Sequence, residues 1–313
     1  MGSTATGPST RPARWRGPDR AGRCASRFVN YRHAFHAGNF ADVMKHVILT
    51  RILVHLKVKP APFRAIDTHA GTGLYDLQAD AAERTQEWRG GVDRLGEPFA
   101  PEVEALIAPY RAILATVRER HGDAYPGSPL IMRELMRPQD RAVFLELHPE
   151  DEAVLARRFR RDTQVKVLHL DGWTALHALI PAKERRGLVL VDPPYEEPGE
   201  LERLAREMAK ALDKWPTGIF AGWYPIKDQR DVDGPAAIIA DAAPGKALRL
   251  ELMIDSPAEP DRLNGCGLFV ANPPWTLAAE AETILPALAE RLARGRYGGF
   301  RCETPAIDSA PAR

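Results

Sequence analysis

The 313-residue sequence predicts an α/β fold organised around a doubly wound, mostly parallel sheet. Three observations predict it. Short apolar runs bounded by turn signals recur along the chain, helical periodicity fills the gaps between them, and one run ends in a Pro-Pro exit of the kind found where open α/β sheets bind ligands.

Taken in order, the chain opens with a basic segment. Residues 1–60 hold eleven Lys and Arg against Asp19 and Asp42, a charge of +9, so the formal net charge of +1 leaves −8 for the rest. We expect residues 1–27 to be a disordered basic extension and residues 28–313 to form the folded domain. Phe40, Val43, Met44, Val47, Ile48, Ile52 and Leu56 recur at helical spacing, with Asn39 placed as N-cap and Pro60 beyond the end. One amphipathic helix is expected there.

Seven strands follow, at Phe63–Asp67, Ala142–Leu147, Val165–Leu170, Gly187–Asp192, Gly218–Trp223, Leu248–Ile254 and Gly267–Ala271. Between the first two lies a helical insertion at about 76–138, whose clearest element carries Val103, Leu106, Ile107, Tyr110, Ile113, Leu114 and Val117 on one face. The last two strands are joined by a Pro-, Asp- and Gly-rich connection and should form an antiparallel pair at one edge. This is the strand pattern of the class I methyltransferases, a Rossmann-like seven-stranded variant, rather than of a symmetric dinucleotide-binding fold.

Composition excludes several classes. Three cysteines without close spacing indicate neither a disulfide framework nor a zinc site. No apolar run approaches the roughly 20 residues that span a bilayer, so a soluble, cytoplasmic protein is expected.

The chemistry-bearing residues fall at strand ends. Asp67-Thr68-His69-Ala70-Gly71-Thr72-Gly73 closes the first strand, where Gly71 and Gly73 let the backbone approach a ligand and Asp67 can accept hydrogen bonds from a charged amino-acid moiety. Glu146, at the end of the second strand, can bind both hydroxyls of a ribose. Asp171-Gly172 follows the third and suits an adenine ring. A nicotinamide-dependent dehydrogenase would share these features, but its acid lies about 20 residues after the glycines, and Glu146 lies much further on.

The fourth strand runs into Asp192-Pro193-Pro194-Tyr195. Two prolines cannot continue a ladder, so the chain leaves the sheet at its carboxyl edge, and the Pro193 carbonyl remains free as an acceptor. An exocyclic amine is a weak nucleophile because its lone pair is delocalised into the ring. Accepting its two hydrogens on Asp192 and on the Pro193 carbonyl would aim that lone pair at a methyl donor, and Tyr195 would stack on the base. Asn272-Pro273-Pro274-Trp275 has the same form; its place after the seventh strand marks it as a turn whose Trp275 packs.

With these residues assembled, the chain closely resembles the RlmJ family of large-subunit ribosomal RNA adenine N6-methyltransferases, from about Tyr31 to near its end. The resemblance rests on Tyr31-Arg32-His33-Ala34-Phe35-His36-Ala37-Gly38-Asn39, Asp67 to Gly71, Tyr125-Pro126-Gly127-Ser128-Pro129, Glu146-Leu147-His148-Pro149 and Asp192 to Tyr195. It implies that His46, His69, Ser128, Glu146, Asp171, Gly172 and Asp192 contact S-adenosyl-L-methionine, that Asp192 is also the catalytic acceptor, and that Tyr31 touches RNA. It further implies action on protein-free 23S ribosomal RNA, without a metal or an obligate protein partner. An adenine-N6 methyltransferase acting on DNA or another RNA is the alternative, because the amine-binding loop does not distinguish nucleic acids. Thr72 and Phe40 depart from the family pattern without touching these positions.

Overall fold

The structure is a computed structural model and describes residues 1–2, 33–256 and 263–305. Tyr31 and the rest of residues 3–32 of the basic leading segment lie outside the described residues.

The first long element is α1 (Phe40–Val58), capped by the Asn39 side chain, which accepts from the amides of Ala41 and Asp42. That satisfies two of the donors a helix start leaves open. The helix is not the surface helix that its periodicity suggests. Asp42, Lys45, His46 and Thr50 are buried as fully as its apolar residues. Spaced i, i+3, i+4 and i+8, they form a polar stripe, and its Lys45–His46 part lies against a cleft rather than solvent.

Among the described residues ten strands follow: β1 (Arg64–Asp67), β2 (Leu74–Asp76), β3 (Ala124–Pro126), β4 (Arg141–Glu146), β5 (Val165–His169), β6 (Gly187–Val191), β7 (Ile219–Ile226), β8 (Ala247–Met253), β9 (Gly265–Ala271) and β10 (Gly299–Glu303). Eight make one sheet in the order β10-β8-β9-β7-β6-β1-β4-β5. β5, β4, β1, β6 and β7 pair in parallel; β9 runs antiparallel to β7 and β8, and β10 antiparallel to β8.

Two expectations are corrected. The sheet has eight strands, not seven, and the antiparallel β8–β9 pair is not at its edge, because β10 covers β8. The sequence Gly299-Phe300-Arg301-Cys302-Glu303 is short, and Arg301 and Glu303 pair with each other and with the charged stripe of β8, so it lacks the apolar run of a core strand. The short hairpin formed by β2 and β3 is equally silent, since three residues are too few to display a period.

Successive strand residues point to opposite faces, and the two faces have separate cores. Ala65, Leu188 and Leu190 face one cluster, which contains the apolar residues of α1, those of α3 (Pro101–His121), and those of α9 (Leu277–Leu292). Ile66, Val189 and Val191 face the other, under α6 (Gly172–Ala178), α7 (Glu200–Lys214) and α8 (Arg230–Ala242). The span 76–138 contains α2 (Asp80–Thr85), α3, β3 and α4 (Ser128–Leu135), with α5 (Pro149–Phe159) following β4, and the predicted apolar face of α3 buries in the first cluster. Among the described residues no helix is long and apolar enough to cross a membrane.

Candidate active site

β1 has β4 on one side and β6 on the other, so the chain leaves these neighbours in opposite directions and opens a crevice at their carboxyl ends. A cavity of about 310 Å³ occupies it.

At the end of β1, Asp67 is fully buried. Its Oδ1 accepts from the His69 amide at 3.2 Å and its Oδ2 from the Ser128 hydroxyl at 2.6 Å. Burial pushes this carboxyl up to about 7; the Ser128 hydrogen bond opposes the rise and the charge of Asp192 adds to it. Ser128 begins α4, so that helix is tied directly to the end of β1. His69 is pushed down to about 4 by burial, and its Nδ1 lies 2.8 Å from the Thr68 hydroxyl.

Next in the chain, Gly71 has φ +60°, and a Cβ there would stand 2.1 Å from the Tyr75 hydroxyl, so the turn admits only glycine. Its amide donates to Glu146 Oε2 at 2.8 Å, while the His148 amide donates to Oε1 at 2.7 Å. One carboxylate at the end of β4 therefore braces the β1 turn, and each oxygen keeps a second lone pair for a ligand hydroxyl. Beyond β5, Asp171 Oδ1 caps α6 through the Thr174 amide at 2.7 Å. A Cβ on Gly172 would lie 2.3 Å from the Thr68 carbonyl oxygen, so this helix start can approach the β1 turn only as glycine.

The end of β6 places Asp192 in the cavity wall, with Pro193 and Pro194. Asp192 Oδ2 is 2.6 Å from Lys45 Nζ, and the same ammonium is 2.9 Å from Asp42 Oδ1. Burial opposes the charge on Lys45, but the two carboxylates outweigh it and hold its pKa well above the ordinary lysine range. Asp42 is likewise opposed by burial and held well below the usual carboxylate range by His33, Lys45 and His46. Asp192 Oδ1 has no partner among the described residues, which leaves it to accept from a ligand.

His46, His69, Gly71, Ser128, Glu146, Asp171, Gly172, Asp192 and Pro193 all line this cavity, although they come from six separate stretches of chain. Tyr195 does not line it. Its backbone has φ +55°, its hydroxyl donates to the Trp223 carbonyl at 2.6 Å, and its ring meets the Trp223 ring edge-on. Lys45 and Asp42 were missed from sequence; opposite charges three apart among the apolar residues of the first turns of α1 were the available signal.

The second Pro-Pro motif is a turn, but its Trp275 does not pack: it is 86% exposed. Asn272 has φ +53°, and its side-chain amide donates to the carbonyls of Pro216 and Gly218. Because β9 is antiparallel, its carboxyl end lies beside the start of β7, at the edge of the sheet opposite the cavity.

The cavity is acidic. Glu146, Asp151, Asp171, Asp192, Glu196, Glu197 and Glu200 line it, against Lys45 and Arg203 as the fixed cations. A nucleoside bearing positive charge suits this lining, whereas the diphosphate of a dinucleotide would meet like charge. The braced carboxylate of Glu146 can take ribose hydroxyls and the glycines let a ligand come close, so these residues suit S-adenosyl-L-methionine.

Comparison with known proteins follows the same line. The family model for ribosomal RNA large subunit methyltransferase D, RlmJ, matches residues 60–304. The chain is 37% identical over 266 residues to ribosomal RNA large subunit methyltransferase J of Escherichia coli strain K12, covering 84% of this chain and 94% of the relative. It is 36% identical over 277 residues to the protein of the same name from Haemophilus influenzae, covering 88% and 98%. A crystal structure of protein LPL1258 from Legionella pneumophila superposes with a TM-score of 0.76 at 31% identity, covering 87% of this chain and 99% of that one.

Proposed function

The chain belongs to the RlmJ family of ribosomal RNA large subunit methyltransferases, and from that premise we propose that it methylates the exocyclic N6 amine of an adenine in 23S ribosomal RNA, with S-adenosyl-L-methionine as donor. The observation that carries the reading is Asp192, fixed by Lys45 at the end of β6 in a cavity lined by seven carboxylates and two fixed cations.

When bound, S-adenosyl-L-methionine supplies an electrophilic methyl on a sulfonium, which departs as a neutral thioether. Glu146 would hold its ribose, Asp171 and Gly172 would flank its adenine ring, and the β1 turn with Ser128 and His46 would receive its amino-acid end. Asp192 Oδ1 and the Pro193 carbonyl accept the two hydrogens of the target amine, so its lone pair faces the methyl group. The Asp192 carboxylate would stabilise the positive charge that develops on nitrogen as the N–C bond forms and the S–C bond breaks, and would take up, for release to solvent, the proton that the methylated amine gives up. Lys45 holds the other carboxylate oxygen and so fixes the direction in which Oδ1 points. RNA phosphate, repelled by the acidic cavity rim, would be held by the basic leading segment, with Tyr31 as the RNA contact that the family resemblance implies.

Labelled cofactor and protein-free ribosomal RNA test this directly, with mapping of the modified base and duplex DNA as a parallel substrate. Asp192→Asn should bind S-adenosylhomocysteine yet lose at least about a hundredfold in single-turnover rate, the scale of one removed electrostatic stabiliser. Near wild-type turnover in that variant, or modification of DNA alone, would refute the proposal.

A further inference from the structure

Behind the cavity lies a chain of three buried polar side chains. His46 on α1 lines the cavity, and its Nδ1 is 2.7 Å from the Tyr125 hydroxyl, which is 2.9 Å from the Tyr110 hydroxyl. Tyr125 is 1% exposed and Tyr110 0%. Neither hydroxyl has another partner among the described residues. His46 Nε2 is buried without a hydrogen-bond partner, its nearest carboxylate oxygen, Asp42 Oδ1, standing 3.9 Å away.

Only one direction of donation uses every hydroxyl hydrogen. If Tyr110 donates to Tyr125 and Tyr125 donates to Nδ1, both are used, and the imidazole hydrogen is left on Nε2. If Nδ1 donates instead, Tyr125 must donate to Tyr110, and the Tyr110 O–H is stranded in the core without an acceptor, the costly arrangement. Burial raises the pKa of both phenols, so both keep their hydrogens, and it pushes His46 down to about 3, so the ring is neutral with one N–H. The stacked rings of His46 and Tyr125, with centroids 5.6 Å apart, hold the imidazole plane.

We propose that Tyr110 and Tyr125 are positioning residues that fix His46 as its Nε2–H tautomer and so present one neutral donor to the carboxylate of the cofactor's methionine moiety. This rests on the reading of the cavity as the S-adenosyl-L-methionine site. The assignment to the carboxylate follows from the order of elements along the sheet. Asp171 and Gly172 follow β5, Glu146 ends β4, and His46 is on α1, whose Lys45 reaches Asp192 at the end of β6 on the far side of β1. The amino-acid moiety offers an ammonium, which only donates, and a carboxylate, which only accepts, so an N–H donor matches the carboxylate alone. The other tautomer would turn a lone pair on that carboxylate. The tyrosines therefore decide whether this contact attracts or repels.

The test separates tautomer from cofactor. Nitrogen NMR of histidine-labelled protein without ligand reads the His46 tautomer: wild type should show a protonated Nε2 and a bare Nδ1, and Tyr125→Phe should show the two forms mixed. Calorimetry then compares S-adenosylhomocysteine with its decarboxylated analogue. Tyr125→Phe should bind S-adenosylhomocysteine about tenfold more weakly, the scale of a hydrogen bond to a charged group, and the analogue within twofold of wild type. Tyr110→Phe, which leaves Tyr125 able to donate to Nδ1, should lose less. A protonated Nδ1 in the wild type, or equal losses for both ligands, would overturn the proposal. Failure of wild type to bind either ligand would overturn the reading of the cavity, and with it the carboxylate assignment, while the nitrogen shifts still decide the tautomer.

Discussion

Lys45→Met keeps the length and apolar stem of the side chain and removes the ammonium alone. That ammonium stands 2.6 Å from Asp192 and 2.9 Å from Asp42, with Lys45, Asp42 and Asp192 only 5%, 2% and 14% exposed. At an effective dielectric constant of about 20, unit charges 2.6 Å apart attract by about 6 kcal/mol. Desolvation of the buried charges offsets part of this, and removal of one partner from a buried pair usually costs about 3–5 kcal/mol because the other charge is left uncompensated. Two carboxylates are stranded here, but Asp42 keeps His33 at 2.9 Å and the Gly38 amide at 2.9 Å. The expected loss in unfolding free energy is therefore about 4 kcal/mol. Urea denaturation at pH 7 of the wild type, Lys45→Met, Asp192→Asn and the double variant measures it. The double variant should be less destabilised than the sum of the singles by about 1–3 kcal/mol. A loss under about 1 kcal/mol, or additivity within about 0.5 kcal/mol, would refute the view that Lys45 and Asp192 act as one buried pair.

Asp67 yields a prediction in pH. Its carboxyl is raised to about 7, above the value of about 3.9 in an unfolded chain, so the folded state holds the proton more tightly. That contribution to stability is fully present below about pH 4 and is lost as pH rises through about 7, a fall of up to about 4 kcal/mol for three pKa units. Asp67→Asn, which mimics the protonated acid, should remove this fall, so its cofactor-free stability relative to wild type should climb between pH 4 and 8; parallel profiles would contradict it. At Tyr195, Phe should cost about 1 kcal/mol through the lost hydrogen bond to the Trp223 carbonyl and keep most turnover. Ala should lose turnover by about 1–3 kcal/mol of base stacking, and equal losses in the two variants would exclude a stacking role.

Much of the fold was legible along the chain because its signals are local. The seven predicted strands coincide with main-sheet strands, and Asn39 caps α1 as its side-chain chemistry dictates. The apolar face of α3 was equally plain. β10 and the β2–β3 hairpin were not legible, since their pairing depends on charged partners or on a neighbour distant in sequence. Trp275 misled because packing of an aromatic depends on what faces it, and nothing among the described residues covers that ring.

The site divides along the same line. Strand-end motifs point from sequence to Gly71, Glu146, Asp171, Gly172 and Asp192, all of which line the cavity, because turn chemistry and strand exits are properties of consecutive residues; Asp67, read from the same motif, is buried behind the cavity wall. Lys45 beside Asp192, 147 positions apart, and Tyr125 behind His46, 79 positions apart, were decided only when α1 packed against the sheet and the β2–β3 hairpin. Periodicity says that Asp42, Lys45 and His46 share a face of α1, but not whether that face meets water or a cavity. Burial alone separates the two. In water those residues would be a solvated stripe; in the crevice between β1 and β6, Lys45 holds Asp192 Oδ2 and His46 meets the Tyr125 hydroxyl.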